Sequence, residues 1–464
     1  MSRLSVLLSI TLAFLWFFPS ISVGSVDNKL PDLGSSARVG FSTDVEETLS
    51  LRFIASLYRY TDINTDPELN DYITDIGQRL LRHVRTNRHF QFFLINDDNI
   101  NAFAGPGGVI GVNTGLLMSA KTEDEIAAVL AHEIQHVEQE HLSRMFEQQR
   151  QGTAPTVASA LAGLLVGSLN PAAGMAIMTG GIAYQLEQEL RFSRDHEWEA
   201  DRIGIETLAQ AGYDPNAMAD FFFTLSDRYR SGAKGSELLQ THPVTEKRIS
   251  DSRAKARQMK RKQVKQSALA LTLAQARLEA LSARPSSQTD PQVLCYQTGL
   301  SQWLRSTVKQ DMVPTCQLPT HLWSSLLRLQ MSAPSQMTKL EWQKYLQLYP
   351  QQFSLWLGYA DYLLDQGHSA EVIDLLLAQQ EHYSFSFAFW ERLSKAYYLQ
   401  GDEPSSAWAL SRGYGMIGQF MLSNTQLKRA QQFVKMSANP LLAVWLESQA
   451  NWLENKEKNK DLLE

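Results

Sequence analysis

The stretch Ala131-His132-Glu133-Ile134-Gln135-His136 decides how the rest of the chain is read. Two histidines four apart stand one helical turn above each other on the same face, so their imidazoles can share one metal ion. The glutamate between them cannot join both as a ligand, but it reaches the water that the metal holds. Zinc bound this way keeps a coordination position open and lowers the pKa of its water to about 7. The competing reading is a surface helix with two solvated histidines. The flanks argue against it. Thr122-Glu123-Asp124-Glu125 has the form of a capping box, and Ile126, Val129, Leu130 and Val137 recur at helical spacing. Neither Pro nor Gly interrupts the chain from Thr122 to Gln151. The sequence predicts a helix that holds His132, Glu133 and His136 rigidly.

A second block with chemistry follows, Arg194-Asp195-His196-Glu197-Trp198-Glu199-Ala200-Asp201-Arg202. Glu197 and Asp201 share one face of a helix that continues through Ile205, Leu208 and Ala209 to a stop at Gly212. Glu197 would complete a site of two histidines and one carboxylate, and Asp201, one turn on, could orient a ligand imidazole through its other nitrogen. Glu199 points about 200° around the helix from Glu197 and is expected off the ligand set. A charged ExxxD pair is by itself as readily a solvated face; the HExxH stretch shifts the balance. His141 is excluded as a third ligand. It lies nine residues after His132 with no Gly between them, where the metzincin pattern needs ten and a Gly.

The 464 residues suffice for two or three domains, and 44% hydrophobic with 20% charged residues is ordinary for a globular chain. A net charge of -6 makes no case for nucleic acid. The densest basic stretch, Arg253 to Lys265, reads as the solvated face of a linking helix. Arg3, an apolar run to Phe18 and small residues before a cut after Gly24 have the form of a secretory signal peptide at 1–24, with a linker at 25–44. Cys295 and Cys316, the two cysteines, suit an oxidising compartment and could form one disulfide.

Thr48 to Tyr60 and Leu69 to Val84 show helical periodicity. Phe90 to Ile95 is a buried strand candidate, leading to a Gly105-Pro106-Gly107-Gly108 turn between two short extended pieces, Asn101–Ala104 and Val109–Val112. That hairpin could offer a sheet edge to an extended peptide, or simply pack. Gln151 to Leu186 carries no charge and is split by Asn170-Pro171 into pieces too short to span a bilayer. It reads as an apolar helical hairpin or lid able to make peripheral membrane contact. Farther on, Trp356 and Trp390 are 34 residues apart, as are Gly367 and Gly401. This period points to tetratricopeptide repeats, completed by degenerate flanking helices.

Taken in order, Asn101 to Gly108 (NAFAGPGG), His132 to His136 (HEIQH), Glu197 to Asp201 (EWEAD), Thr241-His242-Pro243 and Arg248 resemble the gluzincin metallopeptidase family that includes HtpX and the CaaX prenyl proteases, over about 45–255. The resemblance implies a metalloendopeptidase with one zinc ion per chain. His132, His136 and Glu197 would be its ligands, and Glu133 its general base and acid. It also implies that His242, on a loop after the helices, approaches zinc as a reversible fourth ligand that keeps the enzyme quiet. Arg248 and His242 are both candidates for stabilising the oxyanion. With the signal peptide and the repeats, the resemblance narrows to periplasmic members whose substrates are outer-membrane beta-barrel proteins and their assembly machinery, degraded when stalled and assisted when not. The expected fold is mainly α: an α+β zincin-type metallopeptidase domain with a small sheet at 45–262, an α-helical tetratricopeptide-repeat domain at 263–456, and a charged tail at 457–464. The rival reading is a noncatalytic chaperone or scaffold whose His132, His136, Glu197 and His242 close a structural metal site. The intact Glu133 speaks against it, because a structural site has no use for that carboxylate.

Overall fold

A lone apolar stripe on Pro67–Leu81 shows how the first half is assembled. Pro67 opens this helix, and Asp66 caps it by accepting a hydrogen bond from the Leu69 amide at 3.0 Å. Leu69, Ile73, Ile76 and Leu80 then fall on one buried face. The computed structural model describes residues 43–144, 183–230, 238–259, 268–307, 312–383, 386–437 and 439–458. The expected signal peptide, the expected linker up to 42, the apolar segment up to 182 and the tail from 459 lie outside the described residues. Among the described residues no helix is long and apolar enough to cross a membrane.

Helix α1 (Thr43–Tyr60) and helix α2 (Pro67–Leu81) precede a small sheet of β1 (Gln91–Ile95), β2 (Ala102–Ala104) and β3 (Val109–Asn113). The strand order is β1-β3-β2, with β1 parallel and β2 antiparallel to β3. The expected strand at Phe90–Ile95 is thus β1, and the two extended pieces around the glycine turn are β2 and β3. The turn itself is a short 3-10 segment, Pro106–Gly108, closed by a hydrogen bond from the Gly105 amide to the Val109 carbonyl at 2.7 Å. Gly107 and Gly108 have φ of 69° and 82°, a region that residues with a Cβ rarely adopt. At Gly108 a Cβ would also lie 2.9 Å from the His89 carbonyl oxygen.

After α3 (Thr114–Ser119) comes α4 (Glu123–Glu138), the helix around which this half is built. Thr122 accepts from the Glu125 amide at 3.3 Å, and the Glu125 carboxylate reaches back to the Lys121 amide at 2.7 Å. The expected capping box therefore forms with its return bond one residue earlier than usual. Although neither Gly nor Pro interrupts the chain before Gly152, the helix does not run on unbroken. It ends at Glu138, and Glu140 takes φ 56°. No Gly or Pro marks this stop. The Arg88 guanidinium holds the Glu140 carboxylate at 3.2 Å.

Helix α5 (Ala183–Gln210) lies against α4 and stops before Gly212 at φ 88°. The two backbones come close at Gly204, where a Cβ would touch the Ala131 carbonyl and the His132 amide at 3.4 Å. Gln135 binds the Thr207 hydroxyl across the same contact at 3.2 Å. Helices α6 (Ala217–Arg230), α7 (Leu238–Thr241) and α8 (Glu246–Gln258) complete this part, with α6 packed on α4 and α8.

The remainder is helical: α9 (Ala268–Leu281), α10 (Pro291–Arg305), α11 (Leu322–Met331), α12 (Gln336–Leu348), α13 (Phe353–Asp365), α14 (Ser369–Leu377), α15 (Gln380–Tyr383), α16 (Phe387–Leu399), α17 (Glu403–Met416), α18 (Phe420–Gln432) and α19 (Leu442–Lys458). The repeat signal has a local counterpart. Gly367 after α13 and Gly401 after α16 have φ of 75° and 77°. Each is followed by an amide bonded back to the helix: His368 to the Leu363 carbonyl at 2.9 Å, Asp402 to the Tyr397 carbonyl at 3.0 Å. These are the same Schellman stop, repeated. Cys295 and Cys316 form a disulfide with Cα atoms 6.0 Å apart.

The helices do not stand on a core of their own. One apolar cluster runs from Leu69 on α2 to Leu453 on α19. Arg277 on α9 is buried between Asp66 and Glu68, at 2.7 Å from each, and also donates to the Tyr296 hydroxyl at 2.9 Å. The Asp71 carboxylate of α2 accepts from the Ser354 amide at 2.8 Å. Ile417 enters a second cluster with Phe53, Ile54 and Leu57 of α1.

Candidate metal centre

Because α4 and α5 are in close register at Gly204, the faces bearing His132, His136 and Glu197 meet. His132 Nε2 lies 3.0 Å from His136 Nε2 and 3.4 Å from Glu197 Oε2, and His136 Nε2 lies 3.2 Å from Glu197 Oε1. His242, just after α7, adds Nδ1 at 2.8 Å from Glu197 Oε1 and 3.3 Å from His132 Nε2. Four ligand atoms within 4.8 Å of one another could hold one ion. Ligands at 2.0–2.2 Å around a tetrahedral ion stand roughly 3.3 Å apart. The observed spacings match that.

Glu133 is 1% exposed, and neither of its oxygens has a hydrogen-bond partner among the described residues. Left so, a buried carboxylate is costly. It fits a site that contains a cation and a water beside it. The electrostatics agree. Burial opposes charge on His132, but Glu197 and Asp201 outweigh it and push its pKa up to about 10. Burial works against the Glu197 charge, yet the surrounding histidines hold its carboxyl well below the usual range. Burial, with His132 next to it, takes His136 down to about 4. The acidic surroundings thus favour positive charge at the centre of the pocket, which a bound ion would supply in place of the His132 proton.

Asp201 Oδ1 lies 2.9 Å from His132 Nδ1, where the sequence placed a residue orienting that imidazole. Burial would raise the Asp201 carboxyl, but Arg248 lowers it overall. Arg248 Nε and Nη2 donate to the two Asp201 oxygens at 2.7 and 2.8 Å, and Nη1 lies 2.8 Å from Glu197 Oε2 and donates to the Pro243 carbonyl at 3.0 Å. Each of its terminal nitrogens is thereby engaged with the carboxylates and with the loop that carries His242.

Residues 67–256, α2 through most of α8, match the model of Peptidase family M48. This segment is an M48 peptidase domain. The beta-barrel assembly-enhancing protease of Escherichia coli is 37% identical over 283 residues, covering 61% of this chain and 57% of the relative. The protein of the same name from Yersinia pestis is 39% identical over 232 residues, 50% of this chain and 48% of the relative. Metalloprotease LoiP of Escherichia coli is 31% identical over 160 residues, 34% of this chain and 59% of the relative. The chain spans about half the length of the relatives it matches. All four members of the cluster lie within the M48 domain, and the family implies a metal cofactor.

The M48 domain also gathers residues that spacing on one helix did not bring together. His141 Nδ1 lies 2.9 Å from His136 Nδ1, and His141 Nε2 lies 3.2 Å from Glu199 Oε2. Arg144 donates to the same Glu199 oxygen at 2.9 Å, and the His196 ring stacks on His141 at 4.0 Å. Of the two readings open to His141 once it is set aside as a ligand, a solvated ring or one that backs a ligand, its burial excludes the first, and Glu199 reaches the cluster through it. A sequence signal for this contact was missing, because the break at Glu140 has none.

Proposed function

We propose that the chain is an exported, periplasmic zinc metalloendopeptidase. The observation that carries this reading is the buried Glu133 carboxylate, without a hydrogen-bond partner among the described residues, beside the converging nitrogens and oxygens of His132, His136 and Glu197. These three residues would hold zinc, with His242 as a removable fourth ligand. Bound there, zinc supplies a Lewis acid at the scissile carbonyl and a water that ionises near neutral pH. Glu133 takes the proton of the attacking water and returns it to the leaving amine. Asp201 holds His132, and Arg248 holds Asp201, Glu197 and the His242 loop, which makes Arg248 a positioning residue in preference to an oxyanion donor. Strand β2 is at one end of the described sheet, next to α4, so an extended substrate could add to it.

Relatives named beta-barrel assembly-enhancing proteases support the biological side of the reading, in which outer-membrane beta-barrel proteins and their assembly machinery are the substrates and partners. The metallopeptidase domain is assigned to 45–262 and the repeat domain, as a binding surface, to 263–456. One observation favours a second reading. His242 Nδ1 sits within the ligand cluster, as in a closed metal site of a noncatalytic chaperone. The test is metal analysis together with digestion of casein by wild type and Glu133→Gln. Zinc kept and hydrolysis reduced at least a hundredfold is the expected outcome. Equal digestion by both proteins would overturn the assignment of Glu133, and absence of digestion by wild type would favour the scaffold.

A further inference from the structure

The two histidines of α4 are backed differently. His132 turns Nδ1 directly to Asp201 at 2.9 Å. His136 turns Nδ1 to another imidazole, His141 Nδ1, at 2.9 Å. Beyond it His141 Nε2 meets Glu199 Oε2 at 3.2 Å, and Arg144 Nη1 donates to that oxygen at 2.9 Å. The protons can be placed in one way only with neutral rings. An imidazole that offers Nε2 to a metal carries its proton on Nδ1, so His136 donates there. His141 Nδ1 then accepts, its single proton sits on Nε2, and the Glu199 carboxylate receives it. Each bond in the row has one donor and one acceptor.

The backbone is bent to make this row. Five residues along an unbroken α-helix amount to a turn of about 140° away from His136, which would send His141 elsewhere. Glu140, at φ 56°, ends the helix and turns His141 back. Arg88 holds Glu140 in that conformation through its carboxylate at 3.2 Å. On the far side His196 stacks on His141, ring centroids 4.0 Å apart and ring planes 7° from parallel. His141 has 4% of its surface exposed, so water does not compete for its bond to His136.

We propose that His141 and Glu199, anchored by Arg144, are positioning residues that fix the His136 proton on Nδ1 and keep Nε2 free for the metal. They do for His136 what Asp201 and Arg248 do for His132. The proposal rests on His136 being a metal ligand, and partners of this kind typically contribute 10–100-fold in metal affinity.

The experiment uses the full chain and zinc itself. Zinc affinity is measured by chelator competition for wild type, His141→Leu, His141→Gln, Glu199→Gln and His136→Ala, and cobalt is substituted to read the visible spectrum. His141→Leu should bind zinc roughly 10–100-fold more weakly. His141→Gln should recover most of this, since its amide oxygen can accept from His136 while its NH2 donates to Glu199. Glu199→Gln should weaken zinc about tenfold and shift the cobalt bands, with an unchanged unfolding midpoint of the metal-free protein, because Glu199 is one-third exposed (32%). If His141→Leu does not fold, Glu199→Gln decides alone. Wild-type zinc affinity and an unaltered cobalt spectrum in Glu199→Gln would overturn the relay. Wild-type affinity in His136→Ala would instead remove His136 from the ligands and bring down both the relay and the site assignment.

Discussion

His242 faces two ways. Its Nδ1 belongs to the ligand cluster, 2.8 Å from Glu197 Oε1, while Nε2 stands 3.6 Å from Glu133 Oε1. A ring so placed fills the space that a peptide carbonyl and a water must enter. Its amide closes the end of α7 by bonding the Leu238 carbonyl at 2.7 Å, and Pro243 keeps it out of helical conformation. It can therefore leave without unfolding a helix. His242→Ala is expected to keep zinc on three ligands and to raise digestion of an unfolded protein. A fall of roughly a hundredfold in the same assay would make His242 an oxyanion donor instead. The His132, Glu133 and His136 group was legible from spacing, because helical periodicity alone aligns residues four apart. Glu197 with Asp201 was legible for the same reason. For His141 the sequence left a solvated ring and one backing a ligand both open, because its contact depends on a left-handed Glu140 that no local rule announces.

Elements were legible where a terminus has its own chemistry. Thr122 begins α4 by capping an amide, as its capping-box form announces, while the Asp66 cap of α2 and the stops at Gly367 and Gly401 emerge in the structure. The glycine hairpin is similarly dictated, and it is the joint whose loss should be felt most. Gly108 combines φ 82° with backbone 2.9 Å from where a Cβ would lie, whereas Gly401 at φ 77° has open space around it. Gly401→Ala should thus cost only the left-handed conformation, about 1–2 kcal/mol. Gly108→Ala adds a clash with the His89 carbonyl and should cost about 1–3 kcal/mol more. Urea unfolding of the two variants checks the order; equal losses would show that the β2–β3 turn can shift freely. Where α4 stops could not be read, since the determinant, Arg88 on Glu140, lies 52 residues away.

On the scale of the whole molecule the 34-residue period suggests a repeat unit appended to the M48 domain, but the two are built into one another. Asp71 on α2 shows the consequence. Burial, only partly offset by hydrogen bonds from Ser354, pushes its pKa up to about 8, against about 3.9 in an unfolded chain. Between these values the folded chain holds a proton that the unfolded chain has lost, so this contact loses stability as pH rises from about 4 to about 8. Asp71→Asn keeps an acceptor for the Ser354 amide and cannot ionise. Its unfolding free energy should vary less with pH across that window and exceed that of wild type at pH 8. Parallel pH profiles for the two proteins, measured by urea unfolding, would show that Asp71 is not held protonated at the junction.

The sequence by itself determined what depends on neighbours along the chain. The helix start at Thr122, the glycine turn, the period of the C-terminal helices and the HExxH and ExxxD faces follow from backbone geometry within a few residues, whereas the stop of α4 does not. Tertiary structure alone decided which distant residues share a pocket. Arg277 meets Glu68 from 209 residues away, and His242 meets His132 from 110. Such pairings are set by how apolar faces pack, and charged residues carry no local mark of the partner they are buried against.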